Sequence, residues 1–415
     1  MIELKKLRNI ILIICIVGAF IIPKINILAE KQQIRMENEK NVTKKENENS
    51  LGLISGSYVL IEGSTGKIIL EKNKEKKLMP ASITKIMTLI LIFEAIDEKK
   101  IKLTDEVTVS EYAASMGGSQ VYLEPNEKQT VEAMIKCISI ASANDACVAM
   151  AEHISGSETE FVKEMNKKAK QLGMKNTKFM NCCGLDDTLT ENEHYSTAYD
   201  IALMSRELIT KHKEIEKYST IWMDNIIHIT RKGESEFGLT NTNKLVRYYN
   251  GITGLKTGST SKAKYCLSAT ARRDGMNLIA VVMAAPEPQT RFQEAAKLLD
   301  YGFSNCSIYK DTNKKIMKKK IPIQKGIKED INIKAKQKFS YVCVNGETED
   351  EISKKMQWKE EIVAPVKKGE KIGKVIYYYK EKKIGEVAVV STESVRRADY
   401  VDYLKQICKQ YFLGI

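Results

Sequence analysis

At 415 residues the chain exceeds one typical domain, and its 43% hydrophobic and 29% charged residues exclude wholesale disorder and a multi-span membrane protein. The formal net charge of +13 calls for an acidic environment, and the missing zinc-knuckle spacing, RNA-recognition aromatic motif and basic helix favour an anionic lipid surface or wall polymer over nucleic acid. Nine cysteines without a CxxC pair speak against a metal centre, and the adjacent Cys182 and Cys183 read as small buried thiols, because sequence neighbours rarely bridge.

The chain opens with Lys5, Lys6 and Arg8 ahead of an apolar run from Ile10 to Ile22, closed by Pro23. This is the n-region and h-region of a secretory signal, with cleavage expected near Ala29 or retention as an uncleaved anchor, so that the rest acts outside the cytoplasmic membrane. Residues 30–50 are Lys-, Glu-, Asn- and Gln-rich with almost nothing to bury, a flexible tether. Ser57–Glu62 and Lys67–Glu71 flank Gly63-Ser64-Thr65-Gly66, which predicts a hairpin.

Ile83–Ile96 is apolar and free of Pro and Gly, a buried helix starting at Ser82. One or two helices are expected over Val131–Ile154, and another over Ser196–Thr210 with Ser196 as its cap. Tyr265–Ala271 and Asn277–Ala284 read as an antiparallel pair, and Arg291–Gly302 as a closing helix. Beyond Phe303 the texture changes to short alternating strands, including Ile362–Pro365, Lys371–Tyr379 and Ile384–Val390, a small all-β domain. From Glu393 the period turns helical, with Val401, Leu404, Cys408, Tyr411, Phe412 and Ile415 on one face and basic residues elsewhere.

Three short motifs carry chemistry. Ser82-Ile83-Thr84-Lys85 sets a hydroxyl and an amine three residues apart at a helix start, on one face and within reach of each other. Serine is a weak nucleophile without a base, and a lysine can act as one. Lys85 lies in an apolar run where a bare charge would be costly, so a purpose or a partner is expected. Ser142-Ala143-Asn144 follows an apolar segment at a helix-loop boundary, where both polar side chains can face a cleft. Lys256-Thr257-Gly258, followed by Ser259 and Thr260, fits an edge strand whose glycine admits another backbone or a ligand. Lysine and threonine there suit a substrate carboxylate, and a backbone N–H after the glycine suits a developing oxyanion.

In this order the motifs resemble the D-alanyl-D-alanine carboxypeptidases among the low-molecular-mass penicillin-binding proteins, over roughly Ser57 to Phe303. LMPASITKIMT around Ser82, GLKTGST around Lys256, His194-Tyr195-Ser196-Thr197-Ala198 and TRFQEAAKLLDYGF add to the resemblance. It implies an α+β fold: a serine β-lactamase/DD-peptidase-like domain, an antiparallel sheet with a helical region, then a small all-β domain and a C-terminal amphipathic helix. The expected divisions are 1–29 signal or anchor, 30–50 linker, 51–304 catalytic domain, 305–390 β-rich domain and 391–415 helix. It further implies that Ser82 is acylated, Lys85 deprotonates it, Ser142 and Asn144 aid proton transfer and hold the peptide, and Lys256 tunes the field. Thr257 and Ser259 would bind the terminal carboxylate, Gly258 would give the strand its close approach, and Arg291 falls where the family has a carboxylate-binding arginine.

The substrate implied is the peptidoglycan stem pentapeptide, with β-lactams as covalent inhibitors, an anionic membrane surface as the tail's partner, and no cofactor. Endopeptidase or transpeptidase action would use the same nucleophile. A serine β-lactamase would need a glutamate-activated water, and no ExxLN-like segment stands between Ser142 and Lys256. A binding protein that had kept the fold without activity would have lost a motif residue, and none is lost. Two departures from the family are Ser259, where some members have histidine, and Asn181-Cys182-Cys183-Gly184, where a proline-containing loop is common.

Overall fold

A computed structural model describes residues 51–230, 233–314, 320–344 and 346–412. The signal and tether expected over residues 1–50 lie outside these. The strands are β1 (Ser57–Glu62), β2 (Ile68–Lys72), β3 (Glu106–Thr108), β4 (Lys128–Thr130), β5 (Met223–Thr230), β6 (Gly233–Thr240), β7 (Ile252–Thr260), β8 (Lys264–Arg273) and β9 (Met276–Ala285) in the first unit. The second unit holds β10 (Cys306–Asp311), β11 (Lys320–Pro322), β12 (Asp330–Ala335), β13 (Phe339–Val344), β14 (Ile352–Trp358), β15 (Lys371–Tyr379) and β16 (Lys382–Ser391). The longer helices are α1 (Lys85–Asp97), α2 (Asn144–Ser155), α3 (Glu158–Gln171), α4 (Ala198–Lys211), α5 (Thr290–Asn305) and α6 (Tyr400–Phe412).

An antiparallel sheet in the order β2-β1-β9-β8-β7 organises the first unit. It is covered on both faces, which is why β1 and β9 read as continuous apolar runs rather than alternating ones. Along β1, Val59 and Ile61 point into a core shared with α1, α2 and α4, while Tyr58 and Leu60 point to the opposite side. That side is closed by Phe292, Ala295, Leu298 and Leu299 of α5. The closing helix, the β8–β9 pair and the opening hairpin thus stand where the sequence puts them.

Local chemistry refines three expectations. The turn holding Ser82 is a 3-10 turn, Ala81–Thr84, and the α-helix begins at Lys85. The cap of α4 is Thr197, whose hydroxyl accepts from the Asp200 N–H, instead of Ser196, which pairs with Leu78. Val131–Ile154 is broken into Val131–Lys136, a π-helical turn at Cys137–Ala141 and α2.

The second unit is a five-stranded sheet, β11-β12-β16-β15-β14, beside a β10–β13 ladder whose Val342 and Val344 join the core under α5. Lys67, in the β1–β2 turn, donates to the Tyr341 hydroxyl at 2.9 Å, the Val342 carbonyl at 2.9 Å and Glu347 at 2.7 Å, tying the two units. Ile362–Pro365 is not a ladder strand; Val363 makes a single bridge to Gln324. The tail helix starts at Tyr400, not Glu393, because Val395 and Arg397 bridge back to Val366 and Gly326.

Leu298, fully buried between α5 and the sheet, cannot be truncated without leaving a cavity. Leu298→Ala should lower unfolding free energy by about 2–5 kcal/mol in a denaturant titration.

Candidate active site

The site forms where the first turn of α1, the start of α2 and the edge strand β7 converge. Lys85 is fully buried, and its Nζ lies 2.9 Å from Ser82 Oγ, 2.6 Å from Asn144 Oδ1 and 2.8 Å from the Cys183 carbonyl. A lysine amine has three directions to satisfy, and all three are used. The Asn144 amide is oriented from its other end: Nδ2 donates to the Gly117 carbonyl at 2.7 Å, which puts Oδ1 toward the lysine. Neighbouring Asp145 is buried and accepts from the Val121, Leu123 and Ala146 N–H groups, fixing the loop over the cleft. Ser142 ends the π-helical turn with φ of 63°, a left-handed conformation uncommon for serine.

The strand β7 approaches the nucleophile because residue 258 is glycine. A β-carbon there would meet the Pro80 carbonyl oxygen at 2.8 Å and the Ser82 nitrogen at 3.0 Å. Lys256 on the same strand is buried, and desolvation first, with the Lys85 and Arg291 cations adding, holds its amine well below its ordinary value of 10.5. Thr257 Oγ1 donates to Thr242 Oγ1 at 2.7 Å, and Ser259 is exposed. Arg291 sits behind the strand, its Nη1 donating to the Gly258 carbonyl at 3.1 Å, with its charge over the Phe292 ring at 4.8 Å. The guanidinium therefore bonds the backbone of β7 here.

Ser82, Lys85 and Asn144 are thus directly bonded, with Lys256 coupled to them through space. Sequence reasoning missed the loop 181–184 as part of the site. Asn181 Oδ1 accepts from the Gly184 N–H at 2.6 Å, turning the chain so that the Cys183 carbonyl faces Lys85. A β-carbon on Gly184 (φ +88°) would fall 1.9 Å from the Ala81 carbonyl oxygen. The only available signal was that this segment departs from the family pattern; a carbonyl's role leaves no side-chain signature. Thr242 was missed for a similar reason, being distant in sequence from the motif it supports.

A nucleophilic hydroxyl on a buried amine, beside an edge strand with exposed polar side chains, belongs to a serine peptidase that works by acyl transfer. Residues 40–287 match the D-alanyl-D-alanine carboxypeptidase family, and residues 303–397 match the penicillin-binding protein 5 C-terminal domain. The D-alanyl-D-alanine carboxypeptidase DacF of Bacillus subtilis is 44% identical over 84% of this chain and 88% of its own length. DacC of Escherichia coli is 33% identical over 83% and 85% respectively. Penicillin binding protein 5 from Haemophilus influenzae superposes with a TM-score of 0.70 at 31% identity, covering 83% of this chain and 98% of that one. Penicillin-binding protein D2 from Listeria monocytogenes, solved in an ampicillin-bound form, matches 60% of this chain and 98% of its own with a TM-score of 0.51 at 31% identity. The chain belongs to the D-alanyl-D-alanine carboxypeptidase family and has that activity, within the penicillin-binding protein fold.

Behind the nucleophile turn, buried His194 accepts from the Met180 N–H at Nδ1, so Nε2 carries the proton toward Thr84 Oγ1 at 2.9 Å. Burial pushes this imidazole from 6.5 down to about 4. Between those pH values the unfolded chain binds a proton that the folded one refuses, so stability falls as pH drops from 6.5 toward 4, by on the order of 3 kcal/mol in all. Thermal melts across this window should show a shallower decline for His194→Gln than for the natural chain.

Proposed function

We propose that Ser82 is the acylated nucleophile, and the observation that carries this is the 2.9 Å contact between its hydroxyl and the enclosed Lys85 amine. The Asn144 and Cys183 oxygens hold the amine against the Ser82 hydroxyl, and as general base it takes the Ser82 proton as the oxygen attacks. Attack on the carbonyl of the penultimate D-Ala forms the acyl-enzyme, the terminal D-Ala leaves with a proton, and water then hydrolyses the ester. The backbone N–H groups of Ser82 and Ser259 are assigned to the oxyanion, the latter brought near by the Gly258 approach. Thr257 and Ser259 take the terminal carboxylate. Lys256, whose charge burial disfavours, gains a counter-charge when that carboxylate arrives. Ser142 and Asn144 pass the proton and hold the peptide. Arg291 supports this pocket through the Gly258 carbonyl it holds.

The natural substrate is the peptidoglycan stem peptide, and the same acyl-enzyme accounts for covalent capture of β-lactams. Residues 1–29 direct export. No helix among the described residues is long and apolar enough to cross a membrane. The exposed Val401, Leu404 and Ile407 of α6 lie in an anionic membrane surface, with Lys405 and the preceding Arg396 and Arg397 near the headgroups.

Ser82→Ala should abolish labelling by fluorescent penicillin and cut D-Ala release from a D-Ala-D-Ala pentapeptide by at least about 10³-fold at unchanged melting temperature. Labelling that survived in Ser82→Ala would sink the assignment. Deleting residues 400–415 should move the protein from membranes to the soluble fraction with turnover retained; continued sedimentation with membranes would refute the anchor.

A further inference from the structure

Cysteine spacing alone speaks against a metal centre, but folding adds a ligand that spacing does not reveal. The sulfurs of Cys182 and Cys183 and a carboxylate oxygen of Glu158 all lie within 4.8 Å of one another. Side chains of adjacent residues in extended chain point to opposite sides. Here the turn made by Asn181, with its Oδ1 accepting from the Gly184 N–H, brings both sulfurs together. Glu158, near the start of α3, is aimed at the pair: its Oε1 accepts from the Cys182 N–H at 2.9 Å. Both thiols are buried, whereas Glu158 is half-buried and its Oε2 accepts from the exposed Tyr112 hydroxyl at 2.8 Å. The carboxylate thus links the buried thiols to a side chain at the surface. Two thiolates and a carboxylate form a soft donor set of the kind that selects zinc or cadmium over magnesium or calcium.

The site is wired to the peptidase. The Cys183 carbonyl accepts from Lys85 at 2.8 Å, and the Cys182 carbonyl accepts from Thr88 Oγ1 at 2.5 Å. We propose that Cys182, Cys183 and Glu158 bind one thiophilic divalent cation, and that the bound ion inhibits the peptidase by drawing the Cys183 carbonyl off Lys85. Binding breaks two S–H bonds and forms two sulfur–metal bonds, with two protons released to water and no change of oxidation state. The metal site stands on geometry alone, while the inhibition rests on the role proposed for Lys85.

The test uses the full chain carrying Cys408→Ser, which removes an exposed competing thiol, kept reduced and exposed to cadmium ion alone. One cadmium per chain should survive gel filtration, with a thiolate-to-metal absorption band, and penicillin acylation should slow by roughly ten- to 100-fold and recover on chelation. Adding Glu158→Gln, which keeps an acceptor for the Cys182 N–H, should cost at least about tenfold in cadmium affinity and remove the inhibition, with metal-free acylation kept within about twofold. No retained cadmium, or equal retention by Glu158→Gln, overturns the site; retention with unchanged acylation overturns its coupling to Lys85. Metal-free protein that fails to react with penicillin counts against the Ser82 assignment, and cadmium stoichiometry then still decides the site.

Discussion

The structure depends on keeping one amine buried and fully bonded. Lys85 sits in the core beneath the nucleophile, and an amine there without partners would cost several kcal/mol. Its three oxygens come from three separate parts of the chain: its own helix turn, the start of α2 and the loop 181–184. None is adjacent in sequence, so the amine serves as the pin on which these segments are registered. Each oxygen has its own support, the Gly117 carbonyl for Asn144 and the Asn181 side chain for the Cys183–Gly184 turn. The geometry used for chemistry and the geometry required for stability are the same bonds.

A second buried amine lies close by. Lys256, also buried, donates to the Thr257 carbonyl at 3.1 Å, and burial together with Lys85 and Arg291 disfavours its charge. Two amines and a guanidinium thus gather near Ser82, close enough for Lys85 and Arg291 to act on Lys256. On the proposed reading, an anionic peptide terminus entering there would supply the counter-charge that the fold withholds. The chain's overall charge of +13 draws it toward acidic surroundings, whereas the proposed selectivity for a free carboxylate would come from this local, desolvated group of basic side chains.

Much of this was legible before any coordinates. The SxxK spacing fixed the Ser82–Lys85 contact, because three residues on a helix leave little freedom, and the glycine of Lys-Thr-Gly announced a close approach on an edge strand. What stayed hidden was carried by backbone atoms or by sequence-distant partners: the Cys183 carbonyl, the Gly184 turn, Thr242 behind Thr257. Backbone carbonyls have no residue identity, so no pattern of side chains can report them. The same limit explains the start of the tail helix. Residues 393–399 share its amphipathic period, yet the β domain captures Val395 and Arg397 in bridges that periodicity does not encode.

The loop 181–184 shows why a departure from a family pattern is informative when the fold depends on the backbone and the side chains remain free to vary. The site requires a carbonyl facing Lys85 and a glycine against Ala81, and Asn181 with Gly184 supplies both. Given those two constraints, the side chains at 182 and 183 need only be small enough to be buried. Cysteine meets that demand and brings a chemistry that the peptidase does not need. One of the two thiols belongs to the residue whose carbonyl bonds Lys85, and because that carbonyl cannot move independently of its own side chain, an ion held by the sulfurs would act on the Lys85 contact.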